Sequence, residues 1–187
     1  MPDDVTFNFQ QVSTISAFQR LWTELAMFMR AYINTAIEES PRAEINAQRL
    51  SNDFRNAFFV FYGPEFADHF NNLLTNFIAK STNVIQGFLA NDQELVNASV
   101  RSWYYDAEAL ASFLASINTG WDQFQWRSLL TQYIQLKIQM ITSMVAGEYR
   151  REMQIYDRVI DLMSTIGSYM ASGLIGQEWP AQQGINM

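Results

Sequence analysis

The one histidine of this chain, His69, stands beside Asp68, and that pair is the nearest thing here to an acid–base dyad. A Ser-His-Asp triad would have to be built on it. No Gly-x-Ser-x-Gly elbow accompanies it, and a lone histidine on a polar stretch reads first as a surface residue. The absence of cysteine removes disulfides, thiolate nucleophiles, Cys-ligated zinc and iron–sulfur clusters. The glutamates Glu24, Glu38, Glu39, Glu44, Glu94, Glu108, Glu148 and Glu152 never fall in the Glu-x-x-His spacing of a di-iron bundle. Glu24, Glu108 and Asp157 are the carboxylates that could face inward, with solvated positions the more ordinary expectation. Neither Gly-x-Gly-x-x-Gly nor Gly-x-x-x-x-Gly-Lys occurs, so a phosphate-cradling loop is unsupported. No catalytic residue, no metal set and no cofactor is expected.

Two further groups have a chemistry of contact rather than of reaction. The aromatics Trp22, Phe77, Trp103 and Tyr133 recur at helical spacing and could converge on a ligand pocket between helices, although core packing explains most such stripes. Ser164, Ser168, Ser172 and Gly176 follow one another at four-residue steps. Such a small-residue strip lets another helix approach closely, within this chain or on a second copy. Phe7 and Phe9 lie in an N-terminal stretch whose weak apolar alternation predicts an extended arm. With the strip, they are the candidate interface.

The elements that must position these groups come from a phrase repeated three times. Leu21-Trp22-Thr23-Glu24-Leu25, Leu73-Leu74-Thr75-Asn76-Phe77 and Leu129-Leu130-Thr131-Gln132-Tyr133 start 52 and then 56 residues apart. That period is the length of a helical hairpin. At the offset of 56, Phe88-Leu89-Ala90 also matches Met144-Val145-Ala146, and Phe113-Leu114-Ala115 matches Tyr169-Met170-Ala171. The expected fold is all-α: a six-helix bundle built as three hairpins, with an arm over 1–12, one domain over 13–180 and a tail over 181–187.

Apolar residues at three- and four-residue steps place the helices. The first runs from about Thr14, capped by Ser13 or Thr14, to Ser40-Pro41, where the residue before proline leaves the helical region. The second runs from Arg42 to Tyr62, with Ile45, Leu50, Phe54, Phe58 and Phe61 inside. Gly63-Pro64 then breaks the chain, and the third runs from Pro64 to Ala90. The fourth follows an Asn91-Asp92 cap and ends near Ile117. Asp122 with Gln125 reads as a capping box for the fifth, which ends near Ala146 and carries the broadest apolar arc. The sixth spans about Glu148 to Ile175.

Composition bounds the partners. Net charge is −7 with a pI of about 4.6, and the two lysines are Lys80 and Lys137. Phosphate binding needs Lys and Arg, so neither nucleic acid nor an anionic membrane surface is an expected partner. No run reaches the ~20 apolar residues of a membrane span. No signal peptide is visible, which leaves the compartment unknown and cytoplasmic by default. Only 17% of the residues are charged, and a sparsely charged surface repels its own copies weakly.

The chain resembles a family of uncharacterised bacterial all-helical proteins. Members carry Leu-Trp-x-x-His, then Leu-Leu-x-x-His, a Trp followed by Asn-Ala, a third helix with a His, a Gly-Ile/Leu-Ile segment and an aromatic-Pro end. Some bear an acetylglutamate kinase-like label without kinase motifs. The resemblance spans about residues 19–180. It rests on Leu21-Trp22, Tyr62-Gly63, Leu73-Leu74, Trp103 with Ala107, Phe113-Leu114, Trp121, Trp126, Tyr156-Asp157, Gly173-Leu174-Ile175 and Trp179-Pro180. It implies a helical fold. Where members place their three histidines this chain has Leu25, Phe77 and Tyr133, none of them a ready ligand for a divalent ion. If those histidines bind metal, this chain lacks the site.

The expected function is a non-enzymatic structural or interaction protein, a homo-oligomer or homopolymer joined through its terminal arms and sixth helix. The alternative is a small-molecule-binding bundle with the aromatic pocket. The third is a degenerate relative of a metal-binding bundle.

Overall fold

A computed structural model describes the backbone of residues 8–37 and 43–176 and the side chains of 8–34 and 52–176. Phe7, Ser40-Pro41, the side chains of Ile45 and Leu50, and Trp179-Pro180 with the tail lie outside the described residues. The rest is all-helical: α1 (Phe9–Ile37), α2 (Ala43–Leu89), α3 (Gln93–Ile117), α4 (Gln123–Val145) and α5 (Tyr149–Ile175).

Helix α1 starts at Phe9, five residues before the expected Thr14, so residues 9–12 are helix rather than extended arm. Asn8 is the reason. Its Oδ1 accepts from the Gln11 backbone N–H at 2.9 Å, and the Gln11 Oε1 accepts from the Asn8 N–H at 2.9 Å. This reciprocal pair is a capping box. Helix α2 takes in both the second and third expected helices. Its backbone leaves helical geometry at Gly63 (φ 78°, ψ −179°), one residue before Pro64. That combination is open in practice only to glycine, so the chain bends there without a loop.

The turns after α2 and α4 are built alike. Asn91 (φ 53°) and Gly147 (φ 70°) are left-handed. The Asp92 N–H donates to the Gly87 carbonyl and Asn91 N–H to Phe88; Glu148 N–H donates to Ser143 and Gly147 N–H to Met144. Both are Schellman caps, and corresponding residues lie 56 apart, the offset of the repeated phrase. Asp92 then caps α3 by accepting from Leu95 N–H at 2.9 Å. Asp122 caps α4 by accepting from Gln125 N–H at 2.8 Å, while its own N–H goes to the Tyr169 hydroxyl at 2.7 Å.

Helix α2 packs on α3, and α4 packs on α5 and α3. The most extensive contact joins α1 to α5, the ends of the chain, rather than α1 to α2. A Cβ on Gly167 would lie 2.6 Å from Gln19 Cα, so the two backbones nearly touch. Six rings form a closed circuit in the core. Trp22 meets Phe54 at 5.1 Å, Phe54 meets Phe70 at 6.2 Å and Phe70 stacks on Phe58 at 3.7 Å. Phe58 meets Trp121 at 6.3 Å, Trp121 meets Trp126 at 5.8 Å and Trp126 returns to Trp22 at 6.4 Å. Trp121 also lies on Gly173, where a Cβ would come within 2.0 Å of its Nε1. Together these contacts lock α1, both halves of α2, α4 and α5 around one apolar centre.

Candidate functional site

A charge stands on α4 where the apolar pattern runs through. Lys137 is in helical phase with Tyr133, Ile134, Met140 and Ile141, all buried, so its stem must enter the core. The residue is 0% exposed, and its Nζ has no hydrogen-bond partner. Burial disfavours the charged ammonium and pulls it down to about 7, with the Glu152 carboxylate pulling the other way. The Nζ lies 6.0 Å from the centre of the Tyr133 ring, one turn back. Burial pushes the Tyr133 phenol up, so it stays neutral.

Glu152 enters from the first turn of α5 and is 3% exposed. A carboxylate there is favoured by the helix dipole, but burial would be costly without a partner. Arg30 of α1 supplies a fork: Nε donates to Oε1 at 2.7 Å and Nη2 to Oε2 at 3.0 Å. The pair raises the Arg30 guanidinium above its ordinary value, against the burial that lowers it. The same guanidinium lies over the Tyr156 ring at 4.7 Å, and burial pushes that phenol up against the pull of Arg30. One carboxylate thus ties α1 to α5 inside the field of an unpaired amine on α4. The arrangement can take up or release a proton near neutral pH. With Lys137 sealed from solvent, it offers no route for a substrate to the amine.

Of the expected aromatic pocket, three rings meet. Phe77 lies 5.8 Å from Trp103 and 5.8 Å from Tyr133, and Trp103 meets Tyr133 edge-on at 6.3 Å. At such separations the rings fill one another's space. Trp22 belongs to the six-ring circuit instead, and its Nε1 faces the Met170 sulfur at 3.4 Å. The indole Nε1 atoms of Trp103 and Trp126 are buried without a hydrogen-bond partner.

The sixth-helix strip divides. Ser168 faces α1, where its Oγ accepts from Gln19 Nε2 at 2.8 Å. Ser164 is half-buried, while Ser172 and Gly176 are exposed. Four-residue steps rotate about 40° per step on a 3.6-residue helix, so the strip winds off the seam, and Gly167 and Ala171 take its place. Phe9 is 88% exposed. It lines a hollow of about 710 Å³ with Asn8, Gln10, Gln11, Ser13, Thr14, Val60, Phe61, Leu174 and Ile175. A second hollow of about 730 Å³ lies at the α4–α5 turn, against Tyr149, Arg150 and Arg151.

The carboxylates that could have faced inward do not. Glu24 and Glu108 are half-exposed, beside Arg20 at 3.7 Å and Arg127 at 3.6 Å; Asp157 is exposed. His69 is exposed against the Phe113 ring at 4.7 Å, and Asp68 pairs with Arg55 instead of with it. Among the described residues, no three His, Asp or Glu side chains gather as a metal set, and no helix is long and apolar enough to cross a membrane. Sequence reasoning missed Lys137, Glu152 and Arg30. Their signal was phase: Lys137 shares its face with Tyr133 and Ile141, and Glu152 with Ile155 and Val159.

Compared with models of protein families, with curated proteins and with solved structures, the chain matches none.

Proposed function

We propose that the protein is a non-enzymatic structural or interaction protein whose copies associate through the end of the bundle where α1 begins and α5 ends. The observation that carries this is the hollow around Phe9. Among the described residues that line it there is no Asp, Glu, Lys or Arg, although the chain carries a net charge of −7. Two copies can therefore meet there without opposing like charges, which elsewhere on the surface would act against contact. Phe9 and Val60, 88% and 72% exposed, are the knobs, and the half-buried Phe61 with Leu174 and Ile175 forms the floor. Large exposed apolar groups clustered in one place mark a contact surface.

Sedimentation velocity and light scattering across a concentration series test this. The wild type is expected as oligomers, and the Phe9→Ser/Val60→Ser double variant as a monomer with an unchanged melting temperature. A wild type that stays at 21.6 kDa at every concentration refutes it.

The same reading takes the fold as three hairpins, with six helices when α2 is counted as two segments about Gly63. The paired caps at Asn91 and Gly147 support it. A second reading makes the chain a metal-free relative of the Leu-Trp-x-x-His family. It is favoured by the burial of Leu25, Phe77 and Tyr133 (0%, 1% and 2% exposed), which is what an inward-facing histidine set requires. Restoring all three as histidines should create a cobalt site with visible absorption; a folded variant that stays colourless with cobalt counts against it.

A further inference from the structure

Phe9 belongs to a surface that carries both a projection and a seat for one. It is the first residue of α1, and the reciprocal Asn8–Gln11 bonds at 2.9 Å fix the turn on which it stands. A helix end therefore holds the ring out, rather than a loop. The ring borders the hollow of about 710 Å³ yet is 88% exposed, so it stands off the floor formed by Phe61, Leu174 and Ile175. On the same rim stands Val60, 72% exposed.

We propose that the hollow is the seat for Phe9 of a second copy, and that two copies exchange these rings about a two-fold axis to form a closed dimer. This rests on the self-association proposed above and adds its symmetry and its contacts.

A two-fold contact requires one patch to be complementary to itself: where residue i of one copy meets residue j of the other, j also meets i. Knob and seat lie together here, so a single rotation seats both rings. A head-to-tail chain needs the knob on one surface and its seat on another. The hollow at the α4–α5 turn is no such seat. Glu148, Arg150 and Arg151 line it, and a phenyl ring sunk among charged groups strips them of water. The seat between α1 and α5 has the opposite character. Its described lining carries no charge, with the apolar floor set inside a rim of Gln10, Gln11, Ser13 and Thr14. An apolar centre within a polar rim is the anatomy of a protein–protein contact. In a chain of net charge −7, a copy of this same patch is the partner that electrostatics opposes least. The symmetry makes each contact twice, and the ring costs little to order because the capping box already fixes its helix.

Sedimentation equilibrium on the full chain is expected to reach a limiting mass of twice 21.6 kDa and no more. Phe9→Ser removes both rings from the dimer and is expected to weaken it on the order of a hundredfold, with the melting temperature unchanged. Photocrosslinking locates the ring. With p-benzoylphenylalanine at position 9, isotope-labelled and unlabelled chains are mixed, so that peptide masses separate links between copies from links within one. Links between copies are expected at Val60-Phe61 and Leu174-Ile175. A mixture of Phe9→Ser, which keeps the seat, with Ile175→Lys, which keeps the ring, should dimerise more tightly than either variant alone, because one whole contact is restored. Masses that climb past the dimer, links between copies that fall elsewhere, or a mixture no tighter than its parts overturn the exchange while self-association stands. Links confined to one chain overturn it as well, since Phe9 is then covered from within. A monomer at every concentration removes both readings.

Discussion

Replacing Lys137 by methionine should stabilise the protein, and by an amount that depends on pH. Methionine keeps the unbranched stem and removes the amine. In the unfolded chain the amine titrates at its ordinary 10.5; in the fold it titrates at about 7. At ~1.4 kcal/mol per unit, the difference amounts to ~5 kcal/mol of folding free energy lost to burying Lys137 at low pH. The sign follows from the protons bound. Between about 7 and 10.5 the unfolded state holds the proton and the folded state does not, so wild-type stability rises with pH across that window. Below about 7 both states are charged and the full penalty applies; above 10.5 both are neutral and it is gone. The variant lacks this dependence. Its advantage should be ~5 kcal/mol at pH 6, shrinking to the ~1 kcal/mol of an unpaired neutral amine above pH 10.5. Urea denaturation followed by tryptophan fluorescence at five pH values between 6 and 10.5 measures it, since Trp22, Trp103 and Trp126 are fully buried. Parallel stability curves for wild type and variant would refute the reasoning, because Lys137 would then titrate alike in both states.

Arg30→Met should destabilise by roughly 2–4 kcal/mol, below the ~5 kcal/mol upper figure for a fully buried pair because the guanidinium keeps some contact with water; thermal melts at pH 8 check it. Gly167→Ala places a methyl 2.6 Å from Gln19 Cα and should cost about 1–3 kcal/mol in denaturant midpoint. Asp122→Ala removes the cap to Gln125 N–H and should cost about 1 kcal/mol, with helix content retained by circular dichroism.

The helices could be read from sequence where patterning and capping agree. Asp122 with Gln125, the break at Asn91-Asp92 and the stripe Val96, Trp103, Ala107, Leu110, Leu114 put α3 and the start of α4 where they lie. The start of α1 was misread because the alternation of Val5, Phe7 and Phe9 resembles a strand, although Asn8 and Gln11 already stood at capping-box spacing. The break at Gly63-Pro64 is also legible, since Gly63 leaves helical geometry just before Pro64; what the pattern does not show is that the turn takes a single residue, so the two stretches run on as one element. The buried cluster was hidden by a default: Lys and Glu are placed outside unless paired, and the partner of Glu152 comes from α1, far away in sequence. A helical period shows which face a residue shares, but not which distant arginine will meet it.

The seam between α1 and α5 has a consequence for how the chain is made. Gln19 and Ser168 are bonded across 149 residues, and closing so long a span is a late event in folding. As the chain leaves the ribosome, α1 emerges before α5. While α2, α3 and α4 are being made, the apolar face around Phe18, Leu21, Trp22 and Leu25 therefore has no α5 to meet. It is the part of a nascent chain that invites wrong partners. Ribosome-stalled chains ending before Tyr149 should leave Trp22 accessible to a fluorescence quencher, and release of the full chain should bury it.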